Sequence, residues 1–142
     1  MGTDVSGGYS PSLLTVLQDA SIAAKALSFQ TELPRFGQQF TNRPFSNATL
    51  LYLATMGGAA VCGLKQVGSF DVGKSFDALL VNAGENNLNP ALWGIKGPED
   101  LLKKKEEIID GWLERFLHGG DDRNIEKVYV QGRFVGGRTF ST

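Results

Sequence analysis

The order of helical and strand patterns is the feature that most constrains what this chain can fold into. Apolar residues recur at helical spacing in three segments, whereas the strand-like stretches number about three and are short. The predicted order is turn, helix, helix, strand, helix, hairpin. A two-stranded hairpin needs a larger sheet to be stable. The pattern therefore predicts a mixed α/β architecture and is awkward for a free-standing domain.

Two helices are predicted in the first half of the chain. Ser10-Pro11 is typical of a helix start, with a hydroxyl N-cap followed by proline at the first helical position, and this helix should end near Phe29. Ser46 should cap a second helix that runs roughly from Asn47 to Cys62, with Cys62 on its apolar face. Residues 31 to 44 between them are typical of a connector.

The second half predicts a strand, a helix and a hairpin. A turn from Asp71 to Lys74 leads into a strand from Phe76 to Val81. Pro98 opens a third helix that runs to about His118. Near the end, two short β-prone runs flank Gln131-Gly132, which predicts a compact hairpin.

Composition excludes several classes of function. The 142 residues are 42% hydrophobic and 20% charged, which is enough for a packed core. Lys plus Arg is 14 and Asp plus Glu is 15, so the net charge of -1 favours neither nucleic acid nor an anionic membrane as a partner. Cys62 is the single cysteine, which precludes an intrachain disulfide and suits the cytoplasm.

The opening stretch GTDVSGGYSPSLL places Asp4 in a glycine-rich turn with no strand before it. Local sequence favours an Asx-turn, in which the carboxylate bonds nearby backbone amides. The alternative is a carboxylate at the C-terminal end of a barrel strand, where a (β/α)8 barrel holds its chemistry. Ser6, Gly7 and Gly8 would then form a loop able to fold over a flat ligand.

The other residues with reactive side chains indicate no site of their own. His118 is the only histidine and lies at a predicted helix end, where a cation is favourable. Together with Cys62 it falls short of the three or four ligands of a zinc site. Trp93 and Trp112 are typical of packing residues.

Four stretches together carry a resemblance to a known family: GTDVSGGYSPSLL, LLYLATMGGAAVCGL, GSFDVGKSFDALLVN and GDDRNIEKVYVQGRFV. They resemble the C-terminal third of the guanine deaminase family, within the amidohydrolase superfamily. The resemblance runs from Gly2 to about Val135. The motif from Gly68 to Ala78 is shared by many amidohydrolases, whereas the first and last stretches are more specific.

The resemblance implies a fold and a division of the chain. The expected fold is the C-terminal part of a (β/α)8 TIM-barrel amidohydrolase plus part of its small β-sandwich domain. Residues 1–64 would be the last βα segments of the barrel. Residues 65–142 would supply sandwich strands, with a returning helix at about 98–118.

The resemblance also implies an activity. The family hydrolyses guanine to xanthine and ammonia with zinc, and the implied role of Asp4 is to ligate zinc and move protons. The family's histidine ligands and catalytic glutamate have no counterpart here, so the isolated chain is expected to be inactive. The whole enzyme would be a cytoplasmic homodimer that takes guanine as its substrate, with no nucleic-acid or membrane partner.

Two alternatives stay open at this point. The first is a non-catalytic binding or assembly module whose apolar helix faces cover a partner; the positions concerned are Leu13, Leu17, Ala24, Leu50, Leu53 and Val61. The second is an amidohydrolase that acts on another purine or on a triazine.

Overall fold

The computed structural model describes residues 1–29, 44–84, 86–92 and 105–141. The helices and strands in chain order are α1 (Leu13–Ser28), α2 (Asn47–Ala54), α3 (Met56–Val61), β1 (Ala78–Val81), α4 (Lys105–Gly119), β2 (Ile125–Val130) and β3 (Arg133–Gly136). Two 3₁₀ turns lie at Pro90–Leu92 and Asp122–Asn124. None of the described helices combines the length and the hydropathy needed to cross a membrane.

Helix α1 starts two residues later than the sequence predicts. Its N-cap is Ser12, whose Oγ accepts a hydrogen bond from the Thr15 amide at 3.4 Å. Ser10, the predicted cap, instead accepts from the Ser12 amide at 3.1 Å, so the prediction of Ser10 as cap is wrong. The predicted end is confirmed, because Phe29 is the C-cap.

The predicted single helix from Asn47 to Cys62 is interrupted at Thr55. The Thr55 backbone leaves the helical region, with φ -118° and ψ -95°, and its Oγ1 donates to the Leu51 carbonyl oxygen at 2.7 Å. The Ser46 cap is confirmed, since its Oγ accepts from the Thr49 amide at 3.1 Å. Cys62 is exposed, so its predicted place in the core is wrong. The interruption shifts the helical phase, and the apolar stripe of α2 therefore does not extend to Cys62.

Three helices build the main apolar core. Leu17 of α1, Leu50 of α2 and Leu117 of α4 are each at most 4% exposed and pack together. Half-buried apolar side chains surround them: Leu14, Ala20, Ala54 and Leu113. The predicted connector at 31–44, apart from Pro44, and the predicted helix start at Pro98 lie outside the described residues.

The three strands form one antiparallel sheet in the order β1-β2-β3. Tyr129 pairs with Ala78 on one side and Phe134 on the other. The predicted hairpin is confirmed, and Gln131 (φ 50°) and Gly132 (φ 76°) have the left-handed backbone of a type I′ turn. The predicted strand at 76–81 begins only at Ala78.

Candidate active-site turn

The five residues Asp4–Gly8 form a tight loop, called here the Asp4 turn. Asp4 (φ 47°) and Ser6 (φ 101°) both have a left-handed backbone, which is rare outside glycine. The amides of Gly7 and Gly8 both donate to the Asp4 carbonyl oxygen, the first at 2.9 Å. Such a backbone persists only where its surroundings hold it, and it is frequent at functional sites.

The two glycines of the turn are required by space. A Cβ on Gly7 would lie 2.8 Å from Oδ2 of Asp4, so the carboxylate lies close against this residue. A Cβ on Gly8 would collide with the Thr3 carbonyl oxygen. Asp4 and Ser6 are exposed, and Gly8 is half-buried. The sequence-predicted residues Asp4, Ser6, Gly7 and Gly8 therefore do lie together in one exposed turn.

A side-chain hydrogen bond connects the residue after the turn to α1. The Tyr9 hydroxyl donates to Oδ2 of Asp19 at 2.7 Å. This hydrogen bond to the carboxylate raises the pKa of Tyr9 above its ordinary value. The Tyr9 ring is 80% exposed, so the hydroxyl rather than packing of the ring holds the side chain in place.

The described residues do not by themselves fit a zinc site. Zinc takes three or four ligands from histidine, cysteine and carboxylates. In the part of the chain that the structure describes, no three such side chains come together. Asp4 has suitable chemistry but would be a single ligand. His118, exposed at the end of α4, exchanges a 3.0 Å hydrogen bond with Oδ1 of Asn47 instead.

A second concave feature is an apolar cavity of about 570 Å³, called here the apolar groove. Its lining comes from α2, α4 and the sheet and includes Leu51, Leu79, Ile109, Trp112, Phe116 and Tyr129. Among the described residues that line it, Asp77 is the one carboxylate, and its Oδ1 accepts from the Gln131 amide at 2.7 Å. The described part of the groove therefore offers apolar surface, and its lining residues bring no convergent polar groups together for chemistry. Trp112 lines it at 44% exposure, and Trp93 lies outside the described residues.

Sequence reasoning missed a group of four asparagines, called here the asparagine cluster, of which Asn82 is half-buried and Asn87, Asn89 and Asn124 are buried. Asn124 is fully buried. Its Nδ2 donates to the Asn82 carbonyl oxygen at 2.8 Å, and its Oδ1 accepts from Asn89 Nδ2 at 3.0 Å. Asn89 Nδ2 also donates to the Gly119 carbonyl oxygen at the end of α4, at 2.7 Å. The stretch ENNLNP was the available signal.

Two ion pairs lie close to this cluster. Arg123 donates from Nε and from the guanidinium end to Asp121, which holds the pKa of Asp121 below its usual value. Hydrogen bonds from Asn82 and Arg138 likewise lower the pKa of Glu126. The stretch GDDRNIEKVYV, which is one of the two most specific to the family resemblance, thus includes residues whose hydrogen bonds stabilise the fold.

Comparisons with known proteins place this geometry in a family. The sequence matches the amidohydrolase family over residues 1–135. The "Probable guanine deaminase" of Schizosaccharomyces pombe is 37% identical over 141 residues, covering 96% of this chain and 23% of the relative. The chain spans about a quarter of the length of the curated relatives it matches.

Solved structures agree in fold. "E. coli Guanine Deaminase" superposes with a TM-score of 0.69 at 27% identity, covering 97% of this chain and 27% of the other. A guanine deaminase from C. acetobutylicum, solved with guanine bound in its active site, gives a TM-score of 0.65 at 30% identity and covers 95% of this chain and 26% of the other. The fold described here is thus part of a TIM-barrel amidohydrolase fold. The chain belongs to the amidohydrolase family, and along nearly all its length it resembles guanine deaminases.

Proposed function

We propose that this chain supplies Asp4 to the active site of a zinc-dependent guanine deaminase, which hydrolyses guanine to xanthine and ammonia. The observation that carries the proposal is the Asp4 turn, an exposed carboxylate on left-handed backbone at the entry to a helix. The similarity to guanine deaminases over 95% or more of this chain supports the substrate.

The proposed role of Asp4 is proton transfer. Hydrolytic deamination adds water at the ring carbon that bears the amino group and releases that group as ammonia. A carboxylate beside the carbon can accept a proton from the attacking water and deliver it to the leaving amine. In the whole enzyme, zinc would supply Lewis-acid chemistry. Ser6, Gly7 and Gly8 would border the substrate as the loop that follows Asp4.

Two experiments test this role. First, the purified 142-residue chain is incubated with guanine and zinc, and ammonia release is measured. We expect none, because Asp4 alone cannot complete a metal site. Guanine-dependent ammonia release by this chain would contradict the expectation.

Second, Asp4→Asn is made in the longest native polypeptide that contains these residues, identified by peptide mapping and intact mass. We expect kcat for guanine to fall by about 10²- to 10⁴-fold, the usual contribution of general acid–base catalysis. The matched control is Asp122→Asn, which neutralises an exposed carboxylate in a 3₁₀ turn and should leave kcat unchanged. Equal kcat values for Asp4→Asn and the parent enzyme would refute the proposal.

The same polypeptide can be assayed with other substrates. Faster turnover of another purine or of a triazine than of guanine would keep the amidohydrolase family and change the proposed substrate.

Residues 1–64 would be the last βα segments of the barrel, and residues 65–142 would contribute to the small sandwich domain. The whole enzyme would be a cytoplasmic homodimer; the single cysteine, Cys62, supports a reducing compartment. Sedimentation of the native polypeptide as a monomer would overturn the dimer.

A further inference from the structure

The backbone of the Asp4 turn needs support from outside the turn. Two non-glycine residues, Asp4 and Ser6, have positive φ, and each such residue raises the free energy of the turn. Within the turn, the support comprises the two amide hydrogen bonds to the Asp4 carbonyl oxygen and an isolated parallel bridge between Val5 and Gly8. Because Asp4 and Ser6 are exposed, burial contributes little.

Helix α1, by contrast, is well anchored. Leu17 is 4% exposed and Ser21 is 2% exposed, so one face of the helix is buried. Gln18 adds a hydrogen bond from its Nε2 to the Gly120 carbonyl oxygen at 3.3 Å, which joins α1 to the residue after α4. Asp19 is the next residue along the chain. A group bonded to Asp19 is therefore bonded to a fixed part of the molecule.

Tyr9 connects the two. It follows Gly8 directly, and its hydroxyl donates to Asp19 across ten residues of chain at 2.7 Å. We propose that the Tyr9–Asp19 hydrogen bond holds the Asp4 turn against α1, which makes Tyr9 a positioning residue for the Asp4 carboxylate. This inference rests on the function proposed for Asp4. It adds that two residues outside the turn determine where that carboxylate lies.

The first test measures the turn itself and needs no activity. Amide hydrogen exchange at Gly7 and Gly8 is followed by NMR in the 142-residue chain for Tyr9→Phe, Asp19→Ala and the double variant. Both single variants should speed exchange at both glycines by about two- to tenfold, the range for loss of one hydrogen bond. The double variant should show no further increase, because both changes remove the same bond.

The controls separate positioning from general loosening. Tyr52→Phe removes the hydroxyl of another exposed tyrosine, on α2, and should leave exchange at Gly7 and Gly8 unchanged. Core amides at Leu17 and Leu50 should exchange at the parent rate in every variant. Unchanged exchange at either glycine in Tyr9→Phe, or additive effects in the double variant, would overturn the inference.

The second test links the bond to catalysis. In the active native polypeptide, Tyr9→Phe should lower kcat by about two- to tenfold and leave KM within twofold, because the proton carrier is misplaced while substrate binding persists. A fall in kcat/KM through KM alone would overturn the positioning role. If Asp4→Asn retains full activity while the exchange results hold, the proposed function fails and the structural link stands.

Discussion

Asn124 is fully buried and its side chain makes several hydrogen bonds, so its truncation should lower the stability of the fold. Asn124→Ala removes the buried hydrogen bond from Asn89 Nδ2 and leaves the half-buried Asn82 carbonyl and Asp121 amide without their bonds to this side chain. We expect the free energy of unfolding to fall by about 2 kcal/mol or more. Urea denaturation followed by circular dichroism measures it.

The matched control for that prediction is Asn47→Ala. Asn47 also bonds another side chain, His118, but at an exposed contact. Its replacement should change the free energy of unfolding by less than about 0.5 kcal/mol. An equal decrease in the free energy of unfolding in the two variants would mean that burial of the Asn124 hydrogen bonds adds no stability beyond that of an exposed contact.

At this scale the sequence predicts local groups better than assembled ones. The turn at Asp4 can be predicted from the sequence because the glycines that shape it lie within four residues of Asp4. The partnership of Asn89 with Asn124 spans 35 residues, and no local pattern encodes it. The prediction that Cys62 lies in the core is wrong for a different reason. It depends on a helix that continues past Thr55, whereas the helix is interrupted there and Cys62 is exposed.

Among the elements, the turn of the β2–β3 hairpin can be made more stable by a substitution. Gln131 adopts φ 50° in the turn, a conformation that asparagine tolerates better than glutamine. We expect Gln131→Asn to raise the free energy of unfolding by about 0.5 kcal/mol, measured by urea denaturation. The neighbouring Gly132→Ala should do the reverse, by about 1 kcal/mol, because φ 76° disfavours a Cβ. Destabilisation by both variants would argue against a type I′ turn.

The 3₁₀ turn before β2 should make stability depend on pH. Hydrogen bonds from Arg123 lower the pKa of Asp121, so the folded state favours the ionised carboxylate. Its contribution is therefore complete above the ordinary Asp pKa of about 3.9 and declines as the pH falls through the lower folded-state pKa. The difference in Tm between the parent chain and Asp121→Asn should be constant from about pH 7 to 5 and narrow below about pH 4. A difference that stays constant to pH 2 would exclude this role of Asp121.

Prediction of the elements succeeds where a local signal has one strong structural outcome. Gln131-Gly132 between two β-prone runs strongly favours a tight hairpin turn, and the predicted hairpin is confirmed. The sequence does not predict the interruption at Thr55, because a threonine hydroxyl bonded to the carbonyl four residues earlier is equally compatible with a continuous helix. Ser10 and Ser12 compete for one cap, and Ser12 wins although Pro11 fits the preferred first helical position.

Within residues 1–29, 44–84, 86–92 and 105–141, the chain leaves many of its large apolar side chains exposed. Among the described residues, six apolar side chains are buried and 24 large ones are exposed. In the alternative of a binding module, Leu17 and Leu50 belong to apolar faces that cover a partner. The structure instead buries both side chains within the chain itself. Val61, at 86% exposure, is not buried.

The apolar groove should therefore bind a hydrophobic dye in the native state. We expect anilinonaphthalene sulfonate to fluoresce with the folded chain at neutral pH, and Leu79→Thr to weaken that signal because Leu79 lines the groove. The control is Val72→Thr, a fully exposed valine that is absent from the lining. Equal dye fluorescence in the two variants would place the dye elsewhere.

The asparagine cluster has a consequence for the order in which the chain acquires its structure. The bonds of Asn124 to Asn89 and to Asn82 span 35 and 42 positions, and the Gln18–Gly120 bond joins residues 102 apart. Closing contacts of such long range costs chain entropy, so we expect them to form late in folding. Substitutions in the cluster should then mainly accelerate unfolding and leave the refolding rate nearly unchanged. The asparagine cluster would thus set the lifetime of the folded chain rather than the speed of its formation.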